Sequence, residues 1–113
     1  MPGKQPELDR NRPLRVAVRS DASTGTAALS GELDISGVAG LREALDELHR
    51  RGHRRVELDL SDLDFLDAAG LGELVRADRR FRDSGAELVL TGLRPAQRRL
   101  LEITGLDRVL TLR

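Results

Sequence analysis

Asp59-Leu60-Ser61-Asp62-Leu63-Asp64-Phe65-Leu66-Asp67-Ala68-Ala69-Gly70-Leu71-Gly72 is the stretch where the chain changes period, and the fold follows from how that change is read. Just before it, Arg55 to Leu60 alternates, with Val56, Leu58 and Leu60 on one side and Arg55, Glu57 and Asp59 on the other. Alternation at period two marks a strand with one wet face, whereas a parallel strand covered on both faces reads as a continuous apolar run. Just after it, Ala69 to Asp83 repeats at helical spacing, with Leu71, Leu74, Val75 and Phe81 on one face and Ser84-Gly85 to stop it. The segment between is expected to leave the strand after Leu60, cross a loop and enter the helix with Asp67 as its cap, because Asp is a favoured N-cap.

Reading forward from the helix, Ala86 to Thr91 is expected as a strand. Pro95 suits the first turn of a helix that carries Leu100, Leu101 and Ile103 and stops at Gly105, and Arg108 to Leu112 is expected as a last strand. Reading backward, Gly37 to Arg51 places Val38, Leu41, Ala44, Leu45 and Leu48 on one helical face, with Ser36 as the expected N-cap. Thr26 to Leu33 reads as a strand. A further strand begins at Leu14, with Leu14, Val16 and Val18 against Arg15, Ala17 and Arg19, and Asp21 to Gly25 turns the chain between the two. The order is β-β-α-β-α-β-α-β, an α/β fold with a mixed sheet of about five strands and helices mainly on one face. Residues 13–113 form the expected single domain. Residues 1–12, with Pro2, Gly3, Pro6 and no apolar period, read as a disordered lead-in.

At 113 residues the chain can bury a core without disulfides or metal. That core must be aliphatic, since Phe65 and Phe81 are the only aromatic residues. Nineteen basic and nineteen acidic residues cancel, so no long-range field draws the chain to nucleic acid or an anionic membrane. The absence of cysteine removes disulfides, thiolate ligands and a Cys nucleophile. Without a membrane-length apolar run or a signal-like start, neither membrane insertion nor export is indicated, and the cytoplasm is the expected compartment.

The start of the Ala69 helix admits two readings. Ala68, Ala69, Gly70 and Gly72 leave its N–H groups open to a partner or anion, or they let the helix pack tightly on the sheet. Elsewhere the chemistry is thin. His49 and His53 flank the end of the first helix without a carboxylate-rich ligand set and read as exposed polar residues. Asp59, Asp62, Asp64 and Asp67 lack calcium-loop spacing and read as a solvated acidic rim. There is no phosphate loop and no Ser-His-Asp set, so no catalytic residue, cofactor or metal site is expected.

Leu29-Ser30-Gly31-Glu32-Leu33-Asp34, taken with the Asp-Leu-Ser strand end and Asp67-Ala68-Ala69-Gly70-Leu71-Gly72, resembles the two signature segments of the STAS domain of bacterial anti-sigma-factor antagonists. The resemblance runs from about Leu14 to Leu112. It implies a protein-interaction module, not an enzyme, that binds an anti-sigma factor of the GHKL serine-kinase type and releases a sigma factor. The contact surface it implies is Asp34, Asp67, Ala68, Ala69, Gly70 and Leu71. In the family a Ser directly after the motif Asp is phosphorylated to switch binding off, and here Ala68 holds that position without a hydroxyl. Ser61 matches the family's strand-end Ser and Ser36 reads as a cap, so neither is expected to replace it. Family members commonly end in one more helix. Its lack before Arg113 leaves a sheet edge available for a homodimer or a partner domain. The alternative is a structural STAS subunit in a stress-signalling scaffold or lipid-transport complex. An enzyme or nucleotide-binding role ranks third. A charge placed at Ala68 tests the interface, with Glu73, just over a turn along, as the expected neutral control.

Overall fold

A computed structural model describes residues 12–113. Strands β1 (Arg15–Ser20), β2 (Thr24–Leu33), β3 (Arg55–Leu66), β4 (Glu87–Thr91) and β5 (Thr111–Leu112) form one sheet in the order β1-β2-β3-β4-β5. The β1–β2 pair is antiparallel and the other pairs are parallel. Helices α1 (Val38–Arg50), α2 (Ala68–Asp83) and α3 (Pro95–Thr104) complete the α/β domain. The lead-in expected over residues 1–12 lies outside the described residues up to residue 11. Arg12 is anchored, since its carbonyl accepts from the Glu32 N–H at 3.1 Å and its guanidinium pairs with Asp64.

One sheet face carries the core. Ala27 and Leu29 of β2, Val56, Leu58 and Leu60 of β3, and Leu88 and Leu90 of β4 pack with Leu41, Leu45 and Leu48 of α1 and Leu71, Leu74, Ala77 and Phe81 of α2. Each fully buried Leu, Val or Phe among them contributes roughly 1.5–3 kcal/mol by leaving water. The opposite face is mostly polar, yet Val89 is fully buried there. Register puts Glu57 and Thr111 beside it, and the Glu57–Arg113 ion pair at 2.7 Å spans the same place.

The sequence expectations for two strands need correction. β3 does not end at Leu60 but continues to Leu66 along β2, with register shifts between Ala28 and Ser30 and between Gly31 and Glu32. Each shift gives β3 one extra residue, a β-bulge, so the buried positions become Leu60, Leu63 and Leu66, and alternation is lost. At the other end, the strand expected from Arg108 is reduced to Thr111–Leu112. Gly105 leaves α3 in the left-handed region, φ 76°, and a 3-10 turn over Leu106–Arg108 takes up the intervening chain.

Candidate functional site

The parallel register of β2 and β3 pairs Leu33 with Leu66, so Asp34 and Asp67 are the next residues of two neighbouring strands. Adjacent strands lie about 4.8 Å apart, which brings two motifs distant in sequence to one place at the carboxyl end of the sheet. The Asp67 N–H also donates to the Leu33 carbonyl at 3.4 Å.

Both carboxylates are occupied locally. Asp67 caps α2, its Oδ1 accepting from the Gly70 N–H at 3.0 Å. Asp34 caps a 3-10 turn over Ile35–Gly37, with its Oδ1 accepting from the Ser36 N–H at 3.0 Å and the Ser36 hydroxyl at 2.6 Å. The Ser36 hydroxyl bond is the main cause that holds Asp34 below the usual carboxylate range, and it outweighs desolvation. Ser36 is therefore not the N-cap of α1. That position is Gly37, which makes no side-chain cap bond. Side-chain bonding to Asp34 starts the 3-10 turn first and moves the α-helix start to Val38.

The two readings of the small residues divide by position. Gly70 is buried, and a Cβ there would stand 2.7 Å from the Leu33 carbonyl oxygen and 2.8 Å from Leu33 Cγ and Leu66 Cδ1, so packing alone requires glycine. Leu71 is likewise in the core at 7 % exposure. Ala68 is exposed and Ala69 half-buried, and Ile35 in the adjoining turn is 74 % exposed. The surface the site offers is thus Ile35, Ser36, Ala68 and Ala69, held up by Asp34, Asp67, Gly70 and Leu71. Ile35 was missed in the sequence because it falls between the Asp34 motif and the helix period.

Glu73 was also missed. Its side chain is fully buried, with Arg42 Nη2 at 2.9 Å and Arg76 Nε at 3.4 Å from Oε1, and Arg80 Nη2 at 3.2 Å from Oε2. Burial pushes its carboxyl up, but the hydrogen bonds and charges of Arg42 and Arg80 prevail and hold it below the ordinary range. Its helical position between Gly70 and Ala77, on the face turned to α1, was the available signal. Glu73 is accordingly not a neutral control.

Two further expectations change. His53 is buried and its Nε2 shares a hydrogen bond with Ser20 Oγ at 2.5 Å; His49 bonds Ser84 Oγ at 2.7 Å and its ring makes a T-shaped contact with that of Phe81. Neither is a simple exposed polar residue, because each joins the end of α1 or the following turn to a neighbouring element. The acidic run is not a free rim either. Asp59 accepts from the Ser61 N–H at 3.0 Å, and Asp64 is paired with Arg12 and, at 3.7 Å, Arg94. Among the described residues no three His, Cys, Asp or Glu side chains gather to hold a metal, and no helix is long and apolar enough to cross a membrane.

A mixed sheet whose neighbouring strands β2 and β3 end together at capped helical starts, with one small exposed face between them, defines a small α/β domain. A family model described as "Mlab, STAS domain" matches residues 16–112, and the chain belongs to the STAS domain family. It is 33% identical over 85 residues to an anti-sigma-B factor antagonist of Listeria monocytogenes, covering 75% of each chain. It is 32% identical over 85 residues to an anti-sigma F factor antagonist of Paenibacillus polymyxa, covering 74% of this chain and 73% of that one. An anti-sigma factor antagonist structure from Mycobacterium paratuberculosis shares the fold with a TM-score of 0.77 at 24% identity, over 88% of this chain and 84% of that one.

Proposed function

We propose that this protein is an anti-sigma-factor antagonist that binds an anti-sigma factor of the GHKL serine-kinase type through the face around Ala68 and so frees a sigma factor. The observation that carries the reading is the exposure of Ala68 beside Ile35, while the motif's Asp34, Asp67 and Gly70 are spent on holding that face in place. The names of the relatives support the same direction. Such a role is one of binding in the cytoplasm, without catalysis, cofactor, nucleic-acid contact or membrane insertion. Ala68 has no hydroxyl, so the chain cannot be switched off by a phosphate at that position.

The test is Ala68→Glu. A carboxylate in the first turn of α2 interacts favourably with the helix dipole, by roughly 0.3–1 kcal/mol, so the melting temperature should hold. A charge desolvated without a partner at an interface costs on the order of 2–5 kcal/mol, about a 30-fold or greater loss of affinity. Wild type, Ala68→Glu and the exposed α3 control Arg98→Gln are titrated against a purified serine-kinase-type anti-sigma factor from the same genome. If Ala68→Glu binds within about threefold of wild type, far below the loss expected for a desolvated charge, the interface lies elsewhere and a scaffold role is favoured.

A further inference from the structure

The partner face continues from Ala68 along both helices onto arginines that the fold holds still. Ala68, Gly72 and Arg76 are four residues apart and form one ridge of α2. Ile35 of the 3-10 turn and Val38, Ala39 and Arg42 of α1 line one groove. Arg42 and Arg76 both rest on the buried Glu73 carboxylate, yet their side chains are 47% and 56% exposed. Arg42 uses Nε at 3.4 Å and Nη2 at 2.9 Å for this contact. Arg76 uses only Nε, at 3.4 Å. Its Nη1 and Nη2 lie 3.3 and 3.6 Å from where a Cβ on Gly72 would stand, and among the described residues they meet no acceptor. Any side chain at position 72 would therefore crowd this guanidinium.

We propose that the bound partner presents an acidic side chain to the outward N–H groups of Arg76, with Arg42 beside it, next to an apolar side chain received against Ile35. This inference rests on the anti-sigma-factor reading above and names the chemistry of the surface that fits it. A guanidinium offers two parallel N–H donors to a carboxylate, and such a pair is stronger than a neutral hydrogen bond and directional. Glu73 has already fixed one edge of each arginine, so less side-chain freedom is lost on binding. Ile35 supplies the apolar contact that charge alone does not. Glu43, also lining the α1 groove, forms no ion pair among the described residues and gives the opposite polarity to test.

The experiment titrates the full chain and its variants against the same purified anti-sigma factor, at low and at physiological salt. Arg76→Glu should lose about 30-fold in affinity or more. Arg76→Gln, which keeps the fold if the reversal does not, should lose roughly tenfold and flatten the salt dependence. Arg79→Glu, exposed on α2 without an ion pair among the described residues, should stay within about threefold, less than an interfacial charge pair is worth. If Glu43→Arg loses affinity while the Arg76 variants do not, the partner is basic and the proposal is wrong. If every variant stays within threefold, the partner docks elsewhere and the proposal is equally wrong. A wild type that binds no such anti-sigma factor overturns the parent reading and this one with it, a result distinct from either.

Discussion

Gly70 and Ala68 stand two residues apart in one motif and do opposite work. Gly70 lets the first turn of α2 touch the Leu33 carbonyl, a backbone atom that cannot move aside, so Gly70→Ala should destabilise the fold by about 1–3 kcal/mol, the usual cost of overpacking. Ala68 faces outward, so Ala68→Ser should melt within about 0.5 kcal/mol of wild type, as surface changes generally do. It should also gain phosphate from a bound serine kinase, read by intact-mass spectrometry. Denaturant melts of the two variants check the contrast, and equal stability would mean that α2 does not dock on β2 as described. A binding titration that left Ala68→Ser unmodified would show that the site has diverged beyond its missing hydroxyl. Sequence reading located this motif and the Asp67 cap but could not divide tight packing from open surface, because that division depends on how close a second strand comes. Ser36 failed for a related reason. Asp34 two residues earlier competes for its hydroxyl and backbone N–H, and nothing in the helix period reveals which residue wins.

At the scale of elements, the legible parts were those with an uninterrupted period. Residues 55–60 alternate and were read correctly, while residues 61–66 follow a period of three imposed by two bulges and were read as loop. The α1–α2 contact was hidden in another way, since it is made by a carboxylate that alone would be expected in water. Glu73 becomes a buried residue only because arginines on two helices close over it. Its folded pKa lies below the unfolded value of about 4.3, so its contribution is complete above that pH and is lost as the pH falls through the folded value. Glu73→Gln keeps the shape and removes the charge, and should cost about 1.5–3 kcal/mol at pH 7, the usual worth of a hydrogen bond to a charged group. The gap between wild type and variant should narrow below about pH 4. Asp78 works in the opposite sense, because burial raises its carboxyl despite Arg82, so its strain is relieved on acidification. The difference between the two proteins cancels that background. A gap constant from pH 7 to pH 3 in thermal melts would mean that the Glu73 charge contributes nothing.

Across the whole molecule, stability and function meet at the same strands. β3 lies at the centre of the sheet, paired with β2 along nine residues and with β4 along five, and its Val56, Leu58, Leu60 and Leu63 are fully buried. β5 is two residues long, and β1 forms the other edge with mostly exposed side chains. Opening β3 must break pairing on both sides and expose the core, whereas β5 can leave after a few contacts. Native-state hydrogen exchange should therefore show the slowest amides at Val56 and Leu58, paired on both sides, and the fastest sheet amides in β5. Because Asp34 and Asp67 extend directly from β2 and β3, the proposed partner face is mounted on the most protected part of the sheet, and little ordering is left for binding to accomplish. A saturating anti-sigma factor should then slow exchange over residues 35–39 and 68–72 while leaving β5 unchanged. If the free protein already exchanges as fast at Leu58 as at Leu112, the sheet is not graded in this way. If the partner instead protects β5, binding uses the sheet edge, and the face around Ala68 is not where the partner docks.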